Sequence, residues 1–173
     1  QQGAMPDRKQ RNVFGAGHRR KFIVVVDETP EVESALIYAA NRAKRTAGSI
    51  VLLYVIEPGE AGQWLGVRDI YLEEQTNKAK AVFRLFRRKL KALGCEDSDV
   101  EDVIREGAKA EQILRLIEED QDIAVLVLGA STDPAGPGPL VSSLATGKLA
   151  GSFLIPITIV PGTLTASEIE GLA

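Results

Sequence analysis

Phe22-Ile23-Val24-Val25-Val26-Asp27, an unbroken apolar run closed by a carboxylate, is the stretch of sequence that decides the fold. Five consecutive apolar residues without alternation are typical of a strand buried on both faces of a sheet. The next residues, Glu28-Thr29-Pro30-Glu31, predict the start of a helix, with Thr29 as its cap and Pro30 in its first turn. The segment therefore predicts a strand, a turn and a helix.

The same alternation of strand and helix continues along the chain. Apolar runs at 50–56, 123–128 and 157–160 predict further strands, and a weaker, more polar one at 100–105 is typical of a sheet edge. Apolar residues three and four apart predict helices from 32, over about 72–93, over 110–119 and over about 140–153. This order predicts an α/β fold of three layers, with helices on both faces of a parallel sheet.

Between these elements, residues 57–71 contain three glycines and Trp64, and we predict a long loop there. Trp64 either closes over a ligand or packs in the core or at a dimer contact. We expect three parts in the chain: a flexible basic arm over 1–20, which begins with a tag remnant, one domain over 21–161, and a frayed polar tail over 162–173.

The composition of the 173 residues is that of a soluble globular protein, with 45% apolar and 26% charged residues and a net charge of −3. This balance argues against a nucleic-acid partner, and no apolar run is long enough to predict a membrane span. The single cysteine, Cys95, excludes a disulfide within the chain and favours a cytoplasmic location. His18, the only histidine, has no neighbouring ligand type and is a poor metal candidate.

Ligands of such sheets bind beyond the carboxyl ends of the strands, where the winding direction reverses. The first predicted strand ends at Asp27, the second near Val55 and the fourth at Gly129. If the first and fourth strands are neighbours, a crevice lies between Asp27 and Gly129.

Residues 129–143 read Gly-Ala-Ser-Thr-Asp-Pro-Ala-Gly-Pro-Gly-Pro-Leu-Val-Ser-Ser. Glycines let backbone amides approach a phosphate, the helix that follows offers free N–H groups, and Ser142 and Ser143 could add hydroxyl donors. A surface loop with the serines as helix caps is the alternative. The sequence has neither G-x-x-x-x-G-K-[ST] nor a G-x-G-x-x-G after the first strand, which argues against a P-loop and a dinucleotide site.

Three blocks in order resemble the universal stress protein family: Ile23-Val24-Val25-Val26-Asp27 with its turn, Val127-Leu128-Gly129-Ala130-Ser131, and Ile155-Pro156-Ile157-Thr158-Ile159-Val160-Pro161. The resemblance covers about residues 21–161. It implies a five-stranded parallel sheet in the order 3-2-1-4-5. It also implies a homodimer that pairs the last strand with its copy, through Ile157, Thr158, Ile159 and Val160.

In one branch of that family the crevice binds ATP or AMP, and this implies roles for residues here. Asp27 would lie beside the nucleotide and its Mg²⁺, backbone groups at Val55 would hold the adenine, and Gly129 would border the phosphates. The full candidate set is Asp27, Thr29, Val55, Gly129, Ser131, Gly136, Gly138, Ser142 and Ser143. The branch's motif G-x-x-G-x9-G-[ST] is altered here, because Thr132 stands three residues after Gly129. Without gaps, Ser142-Ser143 fall near the final pair, and we prefer this alignment because it places two hydroxyls at the helix start. With gaps, Gly138 stands for the second glycine and Gly147-Lys148 for the final pair, with an amine in place of the hydroxyl.

Three functions are compatible with these residues. The first is a regulatory stress-response homodimer that binds an adenine nucleotide between strands 1 and 4 and signals to a protein partner. The second is a dimeric stress adaptor that binds no nucleotide. The third, an enzyme, is disfavoured because the predicted domain contains no histidine and no evident nucleophile paired with a base.

Overall fold

The computed structural model describes residues 10–59, 65–147 and 150–173. Five strands and five helices alternate along them. The strands are β1 (Lys21–Val25), β2 (Ser49–Ile56), β3 (Val100–Glu106), β4 (Ile123–Ala130) and β5 (Ile157–Pro161). The helices are α1 (Val32–Arg45), α2 (Leu65–Ala92), α3 (Lys109–Glu119), α4 (Pro139–Ala145) and α5 (Ala166–Leu172).

The strands form one sheet in the order β3-β2-β1-β4-β5, with every neighbouring pair parallel. The predicted fold class and strand order are therefore confirmed. β1 lies at the centre, where Ile23 pairs with Val51 of β2 and with Leu126 of β4. This adjacency of β1 and β4 is the one on which the predicted crevice depends.

Alternate side chains of β1 enter two separate hydrophobic cores. Phe22 and Val24 pack in a core formed with α1 and α2, whereas Ile23 and Val25 pack in a core formed with α3 and α4. From Phe22 to Val25 every position is apolar, because neither face of this part of the strand meets water.

Two predicted elements have different bounds in the structure. The prediction of a loop over 57–71 is wrong in its second half, because α2 already begins at Leu65. Its first turns expose Val67 and Ile70, so the sequence there lacks the one-sided pattern of a packed helix. The helix predicted to reach 153 ends at Ala145, after which Thr146 donates its hydroxyl hydrogen to the Ser142 carbonyl. Trp64 lies outside the described residues.

The frayed tail predicted after Gly162 is also wrong, because α5 packs against α1. Thr165 and Glu168 form a capping box at its start, and Ile169 is buried in the core below. Arg42 donates to the Ala173 carbonyl and Arg45 to the Glu170 carbonyl. One buried residue and two arginine contacts therefore hold a helix whose other residues are exposed.

Residues 10–20 of the expected flexible arm lie against the domain. Arg11 donates to the carbonyls of Ile117, Asp120 and Ile123, where α3 ends and β4 begins. His18 Nδ1 lies 2.7 Å from Asp122 Oδ1. This part of the arm is thus bound at the amino ends of β1 and β4, which differs from the expectation. The predicted domain boundaries stay a prediction.

Across the stretches 10–59, 65–147 and 150–173, no helix is both long enough and apolar enough to cross a membrane.

The thiol of Cys95 should be unreactive in the folded protein. It is 4% exposed, and burial raises its pKa, so both access and thiolate formation are reduced. We expect native protein to react with an aromatic disulfide reagent at least about 100-fold more slowly than urea-unfolded protein, because reaction requires opening of the core. A Lys80→Cys variant, exposed on α2, is the control and should label at once. Equal rates for Cys95 before and after unfolding would contradict this burial.

Candidate functional site

A crevice lies beyond the carboxyl ends of β1 and β4, where the sequence predicted one. Its volume is about 110 Å³. The turn after β1, the end of β4, the first residue of α3 and the start of α4 form its walls. The lining residues are Val25, Asp27, Thr29, Glu31, Val32, Lys109, Leu128, Gly129, Pro137, Gly138, Pro139, Leu140 and Val141.

Asp27 organises the turn that forms one wall of the crevice. Its Oδ1 accepts hydrogen bonds from the Thr29 backbone N–H at 2.8 Å and from the Thr29 hydroxyl at 2.5 Å. The expected capping role of Thr29 is therefore wrong: its hydroxyl is directed at Asp27, and Glu31 occupies the N-cap position of α1 without a side-chain cap bond. The carboxylate fixes the turn much as an Asx-turn does.

Lys109 supplies the positive charge of the crevice. Its Nζ lies 3.8 Å from Asp27 Oδ2 and 3.9 Å from Glu57 Oε1, and the side chain is about one-third exposed. Both distances are long for ion pairs, so neither acid holds the ammonium in a tight contact. Lys109 is thus a cation available to an anionic ligand.

The opposite wall is a close backbone contact between Gly129 and Glu31. A Cβ built on Gly129 would lie 1.9 Å from the Glu31 carbonyl oxygen, which no side chain allows. The Glu31 carboxylate also reaches toward Gly138, with Oε1 3.9 Å from the position a Cβ would take there. The crevice is narrow because the start of α1 rests directly on the end of β4.

The glycine- and proline-rich segment closes on itself above the crevice. The Ser131 N–H donates to the Pro137 carbonyl at 2.9 Å, and Gly136 N–H donates to the Asp133 carbonyl. Gly136 and Gly138 have φ values of 128° and 104°, which disfavour any side chain. The segment is an ordered turn that brings Gly138 to the crevice.

A larger groove lies on the other side of the Asp27–Pro30 turn, between α1 and α2. Its volume is about 520 Å³, and its lining residues are Asp27, Glu28, Thr29, Pro30, Glu33, Lys78, Ala81, Val82, Leu85, Phe86 and Lys89. Lys78 pairs with Glu28 at 3.1 Å and Lys89 with Glu33 at 3.4 Å, so an ion pair stands at each end of the groove. The hydrogen bond to Glu28 raises the pKa of Lys78. Asp27 and Thr29 border both cavities.

The profile described as the universal stress protein family matches residues 18–161, most of the chain. The chain belongs to the universal stress protein family. This confirms the resemblance carried by the three sequence blocks. No curated protein sequence matches the chain significantly.

Solved structures of universal stress proteins share the fold. The chain is similar to universal stress protein UspA from Lactobacillus plantarum, at 17% identity and a TM-score of 0.63, over 82% of this chain and 97% of that one. It is also similar to a universal stress protein in complex with cAMP, at 16% identity and a TM-score of 0.55, over 84% and 98%. A third, from Archaeoglobus fulgidus in complex with dAMP, has 14% identity and a TM-score of 0.57, over 83% and 98%.

Four of the nine residues predicted for the nucleotide site of this universal stress protein line the crevice, namely Asp27, Thr29, Gly129 and Gly138. Val55 is buried in the core shared with α3 and α4, and Ser131 and Gly136 lie within the ordered turn. Ser142 and Ser143 are exposed on α4, and neither lines the crevice. The binding roles of all nine stay predictions.

Sequence reasoning missed Lys109 and Glu31. Lys109 follows β3 after Gly107, so the end of the third strand was the signal that could have found it. Glu31 is placed by the contact of its carbonyl with Gly129, for which the sequence carries no signal.

In the part of the chain that the structure describes, no group of three or more His, Cys, Asp or Glu side chains could hold a metal ion. The predicted magnesium contact of Asp27 would therefore depend on oxygens supplied by a nucleotide.

Gly129→Ala should destabilise the protein by about 1–3 kcal/mol, because the new methyl group forces β4 and the start of α1 apart. Gly151→Ala is the matched control: an added Cβ there meets nothing within 4 Å, so its effect should stay within about 0.5 kcal/mol. Urea unfolding of both variants measures the difference. Equal stabilities for the two would show that the contact of Glu31 with Gly129 is not tight.

Proposed function

We propose that this universal stress protein is a regulatory homodimer that binds an adenine nucleotide in the crevice between β1 and β4. The observation that carries the proposal is the composition of the crevice at this position. It combines Asp27, Gly129 and the cation of Lys109 at the carboxyl ends of two neighbouring strands. Two proteins of the same fold are described as complexes with cAMP and dAMP, which supports an adenine-containing ligand.

The crevice suits a small nucleotide better than a triphosphate. Its volume of about 110 Å³ is well below the ~300 Å³ at which ligand sites usually begin. Binding therefore requires the Pro137–Gly138 turn to move away from Glu31. Ser142 and Ser143, the hydroxyls expected to donate to a phosphate, lie outside the lining. We infer that one phosphate group, as in AMP or cAMP, binds more tightly than ATP.

In the proposed complex, each residue of the crevice contacts a different part of the nucleotide. Lys109 pairs with the phosphate, the backbone at Gly129 and Gly138 approaches it closely, and Asp27 lies beside the ribose or a nucleotide-bound Mg²⁺. Backbone groups at the end of β2, at Val55, hold the adenine, as the family resemblance implies.

A regulatory rather than catalytic role fits the positions of the reactive side chains. His18, the only histidine in the sequence, pairs with Asp122 at the amino ends of the strands. The crevice lies at the opposite, carboxyl ends. Cys95, the only cysteine, is buried in the other core. Neither can act as a base or nucleophile at the crevice. We propose that nucleotide binding is instead read by a protein partner in the cytoplasm.

A stress adaptor without a nucleotide is the second candidate function. The narrow crevice and the Glu31 carboxylate beside Gly138 favour it, because a carboxylate repels a phosphate.

Lys109→Met should weaken AMP binding by about 10- to 150-fold, since a charge-assisted contact with the phosphate contributes roughly 1.5–3 kcal/mol. Adenosine, which lacks the phosphate, should bind the variant and the parent protein equally. Isothermal titration calorimetry with AMP, ATP and adenosine makes the comparison, and Lys80→Met, which removes an exposed lysine of α2 that lines neither cavity, is the control that should change nothing. No binding of any of the three to the parent protein would favour the adaptor function, and an unchanged AMP affinity in Lys109→Met would place the phosphate elsewhere.

The proposed dimer pairs β5 with its copy, through Ile157, Thr158, Ile159 and Val160. β5 forms one edge of the sheet, and Ile159 is 38% exposed there. Ile159→Lys should halve the mass of the assembly in sedimentation, because it places two charges in the contact. Thr163→Lys, in the exposed turn after β5, is the control. An unchanged mass for Ile159→Lys would move the interface to another surface.

A further inference from the structure

Helix α2 exposes three large apolar side chains that nothing in the described part of the domain covers. Val67 is 46% exposed, Ile70 59% and Leu85 44%. Within the described residues only three other large hydrophobic side chains are exposed, and they lie on separate elements: Phe14, Ile159 and Leu172. Exposed apolar side chains that share one surface are a feature of protein–protein contacts.

These side chains lie on one stripe of the helix. At 3.6 residues per turn, residues 67, 70, 74, 78, 81 and 85, spaced three or four apart, follow one side of α2. The opposite side carries the buried residues Ala79, Phe83 and Leu90. We define the α2 seam as Val67, Ile70, Glu74, Lys78, Ala81 and Leu85. Its members recur every 3.6 residues on average, so they stay on one side along the length of the helix.

We propose that the α2 seam binds the α2 seam of a second copy of this chain, antiparallel, about a two-fold axis level with residue 76. In this arrangement each residue of one copy faces the residue of the other copy whose number, added to its own, gives 152. Val67 of each copy then faces Leu85 of the other, and Glu74 of each copy faces Lys78 of the other. The apolar ends cover one another and the two opposite charges meet at the centre.

The order of charges along the seam selects the orientation and the partner. A parallel pair in register would place Glu74 against its own copy and Lys78 against its own copy, so like charges would repel. The antiparallel pair converts both contacts into attractions. A two-fold interface requires this self-complementarity, and the seam has it without any second protein.

The groove between α1 and α2 gives the partner's apolar side chains a place to enter. Ala81, Val82, Leu85 and Phe86 form its apolar floor on the α2 side. In the proposed pair, Val67 and Ile70 of the second copy lie over this end of the groove. Lys78 stays 45% exposed although it contacts Glu28, so its ammonium can also reach the partner's Glu74.

The α2 contact is separate from the proposed β5 contact. α2 packs against β2 and β3, whereas β5 forms the opposite edge of the sheet. Either contact can therefore form without the other, and each can be tested alone.

Cross-linking between two introduced cysteines tests the register directly. Residues 67 and 85 are about 27 Å apart on the same helix, so a disulfide between them within one chain is impossible. Under mild oxidation, the double variant Val67→Cys/Leu85→Cys should form a covalent dimer in most of the protein. Each single variant should form less than about a tenth of that amount. In the antiparallel pair its one cysteine lies about 27 Å from the same cysteine of the other copy, too far for a disulfide. Cys95 is buried and takes no part.

The control pair is Val67→Cys/Lys80→Cys, whose second cysteine is exposed on α2 but away from the seam. Making each variant in an Ile159→Lys background keeps the result independent of β5. Equal cross-linking of the control pair, or none in the Val67→Cys/Leu85→Cys variant, would overturn the proposal.

Charge exchange at the centre is the second measurement. Glu74→Lys and Lys78→Glu alone should each weaken self-association at least about tenfold in sedimentation, because each places like charges across the axis. The double variant Glu74→Lys/Lys78→Glu should restore the association, since the two charges exchange places. Thermal unfolding of diluted protein checks that all three variants fold equally well. A double variant no better than the singles would contradict the antiparallel register.

Discussion

The burial of β1 on both faces is the constraint on which the rest of this structure depends. A strand that meets no water needs neighbours on both edges and a helical layer above and below. β2 and β4 supply the edges, α1 and α2 cover one face, and α3 and α4 cover the other. Since all strands run in one direction, the polar residues that follow them collect at one end. Asp27, Gly129 and Lys109 meet for this reason.

The sequence was sufficient to predict this architecture because parallel sheets leave a strong local signature. Uninterrupted apolar runs at Phe22–Val26 and 50–56 are typical of strands covered on both sides. The family blocks then supplied the strand order. Elements held by few contacts were harder: α5 depends on a capping box and one buried isoleucine, and the first turns of α2 have no buried stripe.

The site was predictable only in part, for a physical reason. Asp27 and Gly129 are strand ends, and the position of a strand end follows from topology alone. Ser142 and Ser143 depended instead on where α4 begins and which way it turns, and the structure starts that helix at Pro139 with both serines in solvent. Glu31 borders the crevice because its carbonyl rests on Gly129, a tertiary contact without a local sequence signal.

The turn held together by Asp27 and Thr29 is a wall common to the crevice and to the α1–α2 groove. A shift of that turn that widens the crevice also alters the shape of the groove, because both cavities are lined by Asp27 and Thr29. Thermodynamic linkage makes any such influence mutual. If a ligand in the crevice changes the affinity of the groove for its partner by some factor, the partner changes the affinity of the crevice for the ligand by the same factor. A turn of four residues thus lies between the crevice proposed for the nucleotide and the groove over which the proposed α2 contact lies.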